Sequence, residues 1–326
     1  MLSRRDVLVV LPFAVGKANA QGRPEGVPWP TRAVRFIVSS AAGSAGDVVC
    51  RMLAARLSEA FGQQFVIDNR AAAGGMVASA DLAHAVPDGY TIGMVSTSTH
   101  VIARIFNREL QYDPEKDFVP ITLIGSSPYV LAVHPGLPAR SVAELVSLGK
   151  AKPGSLSNAA FGRTSLGYLA SVLFAHEAGI ELNQVSYSSS AQAVLDVVAG
   201  RVEMQFSTLP PAVPLIRDGK LRGLATTGEH RVATLPDIPT LAEVGFPGYE
   251  AALWLGIAAP AGMPPAIVAK LNDELTAILS SNQGQAALQQ ESFVAEPGPP
   301  ARLTRRIAAD LKKWQDIAAA AGIQAE

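Results

Sequence analysis

Residues 33–61 read AVRFIVSSAAGSAGDVVCRMLAARLSEAF, and they carry the clearest signal of the fold class. Its first six residues are rich in Val, Ile and Phe, which predicts a strand over Ala33–Val38. Apolar side chains then recur every four positions, at Val49, Leu53, Leu57 and Phe61. This spacing predicts a helix over residues 47–61 with one apolar face. The glycine- and serine-rich loop between the two elements makes the stretch the first half of a βαβ unit.

The alternation of strands and helices continues toward the C-terminus. Strand-like residues 65–67 and 90–95 enclose a helix-like segment at 76–86. Further helices are predicted at 141–150, 165–178, 191–199, 264–280 and 301–320, and further strands at 156–160, 184–187, 202–206 and 221–226. This rhythm predicts mostly parallel sheets with helices on both faces. Right-handed crossovers then put the strand-to-helix loops on one edge of each sheet.

Two long extended stretches divide these elements into blocks. Residues 118–133 exceed the length of an ordinary strand, and residues 251–258 follow a Pro- and Gly-rich segment. We interpret both stretches as chain segments that pass from one sheet to another. The sequence therefore predicts two α/β lobes joined by a two-stranded hinge. We expect the first lobe to contain residues 21–125 and 250–326, and the second lobe to contain residues 126–249.

The first twenty residues have the three parts of a secretory signal peptide. A basic start with Arg4 and Arg5 is followed by the apolar run Val7–Val15 and by the small-x-small end Ala18–Ala20. The apolar run is shorter than the roughly 20 residues that span a bilayer. We therefore expect cleavage after residue 20 and export to the periplasm. The paired arginines also resemble a twin-arginine signal, so the export route is left open.

The composition excludes several classes of protein. The chain has 326 residues with 27 Lys and Arg against 28 Asp and Glu, so it lacks the basic excess of a nucleic-acid-binding protein. Its one cysteine, Cys50, excludes an intrachain disulfide, a CxxC pair and a lipid-modified cysteine at the cleavage site. The five histidines show no metal-ligand spacing, and no metal or cofactor is expected. Loss of residues 1–20 would leave 24 basic and 27 acidic residues, a net charge of −3.

Small and hydroxylated residues recur where the predicted strands lead into helices. The four segments are Ser39–Ser44, Ser96–Thr99, Gly162–Ser165 and Ser188–Ser190. Each offers backbone N–H groups and a hydroxyl at a helix N-terminus, where the helix dipole favours an anion. Helix capping alone explains any one of these loops, because Ser and Thr are common N-caps. Four such loops distributed over two lobes favour an anion held in the cleft between them.

Ser44 allows a second interpretation. The segment Ala42–Gly46 (AGSAG) lies between a strand and a helix and resembles the nucleophile elbow of an α/β-hydrolase. In that fold, however, the serine follows a later strand, and no HGGG-type oxyanion segment precedes Ser44 here. No loop pairs a nucleophile with a base, although His100 follows the Ser96–Thr99 segment at a strand's end. The sequence favours a binding protein over a serine hydrolase, and no catalytic residue is expected.

The order of short motifs along the chain resembles the substrate-binding proteins of tripartite tricarboxylate transporters, the Bug receptors. The matching segments are WPTRAVRFIV (29–38), DNRAAAGG (68–75), PDGYT (87–91), YDPEKDF (112–118), GKLR (219–222), LPDIPT (235–240) and APAGMP (259–264). Together they extend over essentially the whole chain after residue 20. The resemblance implies a type II periplasmic binding protein fold, with two α/β lobes that close on a small carboxylate.

Three segments align with the ligand-binding loops of that family, and each departs from the family pattern. Residues 39–47 keep Gly43 and Asp47 of the first loop. Residues 159–165 have Ala160 and Thr164 in place of Ser and Gly, and residues 187–193 lose a Lys, a Gly and a Pro. The resemblance therefore implies a mono- or dicarboxylate without identifying it. The expected ligand-binding residues are Ser39, Ser40, Gly43, Ser44, Gly46, Asp47, Ser96, Thr97, Ala160, Thr164, Ser165, Ser188 and Ser189.

Within this set the expected roles differ. Thr164 and Ser165 are expected to contact the anion directly. Asp47 is expected to cap its helix, because like charges repel. The resemblance also implies a monomer that delivers its ligand to the membrane permease subunits of a tripartite transporter. A receptor that passes its signal to a sensor protein is the alternative partner arrangement.

Overall fold

The computed structural model describes residues 29–161, 165–187, 190–320 and 322. The predicted signal peptide, residues 1–20, lies outside this part of the chain. The described strands are β1 Val34–Val38, β2 Phe65–Asn69, β3 Thr91–Ser96, β4 Phe118–Val133, β5 Leu156–Phe161, β6 Leu182–Tyr187, β7 Met204–Thr208, β8 Arg222–Thr226, β9 Ala252–Pro260 and β10 Val294–Ala295. The described α-helices are α1 Ala45–Phe61, α2 Met76–Ala83, α3 Ala103–Phe106, α4 Val142–Ala151, α5 Leu166–Ala178, α6 Ser190–Val198, α7 Leu209–Arg217, α8 Pro265–Ser280, α9 Asn282–Gln290 and α10 Pro300–Ala320.

The strands form two sheets that share β4. The first sheet has the order β2-β1-β3-β9-β4-β10, and the second has the order β6-β5-β7-β4-β8. Strands β1, β2 and β3 are mutually parallel, as are β5, β6 and β7. Each antiparallel pairing between the described strands involves β4 or β9. These two strands correspond to the predicted crossing segments 118–133 and 251–258. The predicted two-lobed α/β architecture is therefore confirmed.

Strand β4 carries the chain from the first sheet to the second. It pairs with β9 from Phe118 to Pro128, and its pairing with β7 begins at Tyr129. The strand is continuous over 16 residues, and its pairing with β9 shifts register between Pro120 and Thr122 and between Leu123 and Gly125. Gly125 is required there, because a Cβ atom would lie 2.2 Å from the carbonyl oxygen of Val294 on β10.

Thr227 joins the two crossing segments. Its hydroxyl donates a hydrogen bond to the carbonyl oxygen of Ala251 (2.6 Å) and accepts one from the backbone N–H of Tyr129 (2.8 Å). Its backbone N–H donates to the carbonyl oxygen of Tyr129, and its own carbonyl accepts from the N–H of Ala251. These bonds fix the crossings beside each other. The lobe boundaries at 125/126 and 249/250 remain predictions.

The C-terminal helix α10 packs across both sheets. Its buried side chains Ile307 and Trp314 belong to the same apolar cluster as Phe174 of α5. Asp310 of α10 is buried and accepts a hydrogen bond from the indole N–H of Trp254 on β9 (2.8 Å). The helix thus attaches to a crossing strand by a polar contact as well as by apolar packing.

The predicted helices do not include α7, α9 or the helical residues 98–106. Helix α7 has the sequence LPPAVPLIR, and its three prolines argue against a helix when the sequence is read alone. Pro210 and Pro211, however, lie in the first turn, where no backbone N–H hydrogen bond is lost. Helix α9 is rich in Gln and lacks a clear apolar stripe. The Ser96–Thr99 segment was expected to be a loop, but residues 98–102 form a wide helical turn that continues into α3. Within the described residues, no helix combines the length and apolar character needed to cross a bilayer.

Candidate ligand-binding site

The carboxyl ends of the parallel strands in both sheets face the crossing segments. Ser96, at the end of β3, lies opposite Leu255 on β9, and Thr208, at the end of β7, lies opposite Tyr129 on β4. Because β1 runs parallel to β3, and β5 and β6 run parallel to β7, their ends point the same way. The predicted segments 39–47 and 96–99 and the ends of β5 and β6 thus lie toward the hinge. Thr164, Ser188 and Ser189 of the predicted site lie outside the described residues.

The first loop, residues 39–47, is organised around the buried carboxylate of Asp47. One oxygen accepts hydrogen bonds from the N–H of Gly43 (2.8 Å) and from Arg51 Nε (2.9 Å), and the other accepts one from Asn69 Nδ2 (2.8 Å). Arg51 also donates to Asn69 Oδ1 (2.9 Å). The carboxylate therefore joins the loop to α1 and to the end of β2.

Asp47 carries a stabilised negative charge. Burial by itself would raise the pKa of Asp47, but hydrogen bonds from Arg51, Asn69 and the Gly43 N–H lower it below its ordinary value of 3.8. The carboxylate is ionised at neutral pH and paired with the Arg51 guanidinium. The sequence predicted Asp47 as the helix cap, but the N-cap of α1 is Ser44, and Asp47 lies in the first turn of the helix.

The serines of the first loop are engaged in contacts with one another and with β3. The hydroxyl of Ser44 donates to Ser40 Oγ (2.9 Å) and accepts from the N–H of Asp47 (3.4 Å). Ser39 is buried and donates to a carbonyl oxygen of β3. At position 46 a Cβ atom would lie 3.1 Å from Ser40 Oγ, so glycine gives the Ser40 side chain its space. No histidine is a hydrogen-bond partner of Ser44 among the described residues.

Ser96 and Thr97 hold the end of β3 in place. Ser96 is buried and its hydroxyl lies 3.3 Å from Thr99 Oγ1. Thr97 is fully buried, and its hydroxyl oxygen accepts a hydrogen bond from the N–H of Trp254 (2.9 Å). The Thr97 side chain therefore links the end of β3 to the start of β9, close to the hinge.

His100 is a buried aromatic side chain in the core. Its ring centroid lies 4.5 Å from that of Phe118 and 6.0 Å from that of Tyr112. Burial lowers the pKa of His100 to about 3, so the ring is neutral at physiological pH. Its Nδ1 atom lies 3.1 Å from Thr99 Oγ1. Within the described residues, no group of three or more His, Cys, Asp and Glu side chains is placed to hold a metal ion.

A cavity of about 130 Å³ lies at the hinge-facing end of the second sheet. Its lining includes Tyr129, Ala160, Ser165, Gly167, Gln205 and Thr208, and none of the described lining residues is charged. Ser165 is the N-cap of α5 and accepts a hydrogen bond from the N–H of Tyr168 (3.2 Å). The structure thus brings together two residues of the predicted site, Ala160 and Ser165. A larger groove of about 360 Å³, between Leu209 and β10, contains no predicted residue.

Sequence reasoning missed several residues that shape these two regions. Asn69 was quoted only as part of a motif, yet it fixes the first loop through Asp47. Tyr129 and Thr208 lie at the ends of strands that meet only in the folded sheet. The predicted extended stretch 118–133 could have identified Tyr129, because a side chain where a strand passes between two sheets lies next to the proposed cleft.

The comparisons with known proteins point to one family. The model of the tripartite tricarboxylate transporter family receptor matches residues 49–323. The chain is 33% identical to the UPF0065 protein in the tcbD-tcbE intergenic region of Pseudomonas sp. strain P51, over 97% of this chain and 94% of that protein. It is 30% identical to Protein BugT of Bordetella pertussis, over 95% of this chain and 96% of that protein.

Solved structures give the same result. R. palustris Rpa4515 with adipate superposes with a TM-score of 0.75 at 37% identity, covering 91% of this chain and 100% of that one. MatC from Rhodopseudomonas palustris with bound malate gives 0.69 at 29% identity, covering 89% and 99%. The periplasmic binding protein BugD gives 0.71 at 28% identity, covering 91% and 100%. On the matched length and the identity to these relatives, the chain belongs to the tripartite tricarboxylate transporter receptor family, the Bug family of solute-binding proteins.

Proposed function

We propose that this protein is an exported receptor that captures a small organic carboxylate between its two sheets and delivers it to a membrane permease. The observation that carries the proposal is the convergence of both sets of parallel strands on the hinge, with the N-termini of α1 and α5 at those strand ends. Such N-termini present unpaired N–H groups to an anion. Family relatives solved with adipate and with malate support a carboxylate as the ligand.

Capture is proposed to use neutral donors. The donors of the first sheet are proposed to come from Ser39–Asp47. Those of the second sheet are proposed to come from Ser165 together with Thr164, Ser188 and Ser189, which were expected from the sequence. Arg51 forms an ion pair with Asp47 and compensates its negative charge. The repulsion between Asp47 and a bound anion is therefore reduced. Movement about residues 124–128 and 246–254 is proposed to bury the ligand, and the closed form is the one that docks on the permease.

Binding without catalysis is part of the proposal. The hydroxyl of Ser44 is engaged with Ser40 and the N–H of Asp47, and the buried His100 is neutral and bonded to Thr99. Neither arrangement pairs an activated nucleophile with a base. The periplasm as the site of action is supported by the signal-like residues 1–20 and by the periplasmic relative BugD.

A thermal-shift screen tests the proposal with residues 21–326. Adipate, malate and other small mono- and dicarboxylates are compared with their uncharged amides at equal concentration. A ligand that binds only the folded state raises Tm by mass action, so at least one acid is expected to raise it while its amide does not. Equal shifts with acid and amide would contradict recognition of the carboxylate. Absence of any shift at millimolar concentrations would contradict the receptor function.

A further inference from the structure

Tyr129 lies where β4 passes from one sheet to the other, and its backbone is fixed there. Its N–H donates to the hydroxyl of Thr227 (2.8 Å), and its carbonyl oxygen accepts from the N–H of the same residue (2.9 Å). Thr227 is itself bonded to Ala251 in the second crossing segment. The direction in which the Tyr129 side chain leaves the strand is therefore set by both crossings together.

The ring of Tyr129 packs on the first turn of α5. A Cβ atom built on Gly167 would lie 3.2 Å from Cε1 of this ring and 2.9 Å from the carbonyl oxygen of Phe206. Glycine at this position thus gives the ring the space to lie against the helix. Tyr129, Gly167, Ser165 and Thr208 line the same cavity of about 130 Å³.

The phenol hydroxyl of Tyr129 has no hydrogen-bond partner within the described part of the chain, although the backbone of the residue makes three contacts to Thr227. A hydroxyl without a protein partner is available to donate to water or to a bound ligand. Burial raises the pKa of Tyr129 to about 12, so the hydroxyl keeps its proton and donates throughout the physiological range.

The cavity suits a carboxylate bound by neutral donors. Its volume corresponds to about four water molecules, which is room for a carboxylate group and a short piece of its chain. Its described lining supplies the neutral polar side chains of Tyr129, Ser165 and Thr208. Hydrogen bonds to a charged acceptor are about twice as strong as those between neutral groups, so one hydroxyl contributes substantially.

From these contacts we infer that Tyr129 is a ligand-binding residue whose hydroxyl donates a hydrogen bond to a carboxylate oxygen of the ligand in the second-sheet cavity. The inference rests on the proposed function, because it names a further contact of the same receptor. Tyr129 lay outside the set expected from the sequence, and its position at the change of sheet couples this contact to the hinge.

The test is calorimetric titration of adipate and of malate into the wild-type chain and into Tyr129→Phe, which keeps the ring and removes the hydroxyl. Loss of a hydrogen bond to a charged group is expected to weaken the binding of whichever acid the wild type binds by about 10- to 100-fold. Tyr90→Phe is the matched control, since the Tyr90 hydroxyl bonds to Thr31 at the opposite end of β3. That variant is expected to bind as the wild type does.

The outcomes separate the two proposals. Wild-type binding with an unchanged affinity in Tyr129→Phe would overturn the role of Tyr129 and leave the receptor function standing. No binding of any carboxylate by the wild type would overturn the receptor function, and the role of Tyr129 with it. A Tm of ligand-free Tyr129→Phe equal to that of the wild type is expected, because the hydroxyl has no protein partner to lose. A large fall in that Tm would assign the hydroxyl a structural role instead.

Discussion

At the scale of the residue, the molecule places a buried carboxylate next to the place where an anion is proposed to bind. The ionised carboxylate of Asp47 is stable in this buried position because Arg51, Asn69 and the Gly43 N–H donate hydrogen bonds to its two oxygens. Its role is to shape the first loop. A side chain that joins the loop to α1 and β2 contributes to the stability of the fold.

We expect Asp47→Asn to destabilise the fold. An amide nitrogen replaces one acceptor oxygen, so either Asn69 or the Gly43 and Arg51 donors lose a partner, at a cost of about 1–3 kcal/mol. Urea unfolding at pH 7 measures this difference. The control is Asp237→Asn, at an exposed position where the change is expected to stay within about 0.5 kcal/mol. A loss no larger than that of the control would show that the Asp47 contacts do not hold the loop.

The effect of Asp47→Asn is expected to depend on pH. The pKa of Asp47 in the fold lies below its ordinary value of 3.8, so the ionised carboxylate stabilises the fold above that value. The stabilisation is lost as the pH falls through the lowered pKa. The difference between wild type and variant should therefore be constant from about pH 6 to pH 8 and shrink below about pH 4. A difference that grows on acidification would contradict the lowered pKa.

For single residues, the sequence predicted positions at helix N-termini better than it predicted hydrogen-bond partners. Ser44 and Ser165 were expected at helix N-termini, and both are N-caps. The partner of Asp47 could not be predicted, because Asn69 is 22 residues away and meets it only when β2 pairs with β1. Whether the predicted residues contact a ligand remains a prediction.

At the scale of the element, the hydroxyl of Thr227 adds to the backbone bonds that join the two crossing segments. Thr227 Oγ1 donates to Ala251 and accepts from Tyr129, so it satisfies two buried backbone groups. The variant Thr227→Val keeps the shape and removes both bonds, and we expect it to lower the free energy of unfolding by about 2 kcal/mol or more. Thr304→Val, at an exposed helical position, is the control. Similar losses in both variants would contradict a special role for Thr227.

Helix α10 depends on the buried Asp310. Its carboxylate accepts from Trp254 on β9 and pairs with Arg306 and Lys313 on its own helix. Asp310→Ala leaves the buried indole N–H of Trp254 without an acceptor, while Arg306 keeps its ion pair with Glu250, so a loss of about 1–3 kcal/mol is expected from chemical unfolding. On the same helix, Asp316→Ala removes an exposed pair with Lys312 and should cost less than about 1 kcal/mol. Equal costs would show that the contact to β9 contributes nothing.

The elements themselves were largely predictable. The period of four in α1 and the 16-residue extended stretch of β4 are signals carried by consecutive residues. Helices α7 and α9 were missed because their burial is decided by neighbours in the fold and their sequences contain prolines or glutamines. Tertiary packing overrides local propensity at such places.

At the scale of the whole molecule, the net charge opposes the proposed ligand. Without residues 1–20 the chain carries −3, so long-range attraction does not collect an anion. We therefore expect the association rate constant for a dicarboxylate to stay constant or rise by no more than about 3-fold when salt is raised from 20 to 200 mM, because screening removes repulsion. Stopped-flow measurement of ligand association decides this. A rate that falls steeply with salt would indicate a cationic entrance to the cleft.

The two-lobed chain is proposed to bind one small carboxylate. Titration calorimetry of residues 21–326 with adipate and malate tests it most directly, since it gives stoichiometry and affinity together. We expect saturable binding of at least one of these acids or a close homologue, with one molecule per chain, and no binding of the corresponding diamide. Titrations without saturable heat for every carboxylate tried, from a protein whose unfolding transition is cooperative, would contradict it.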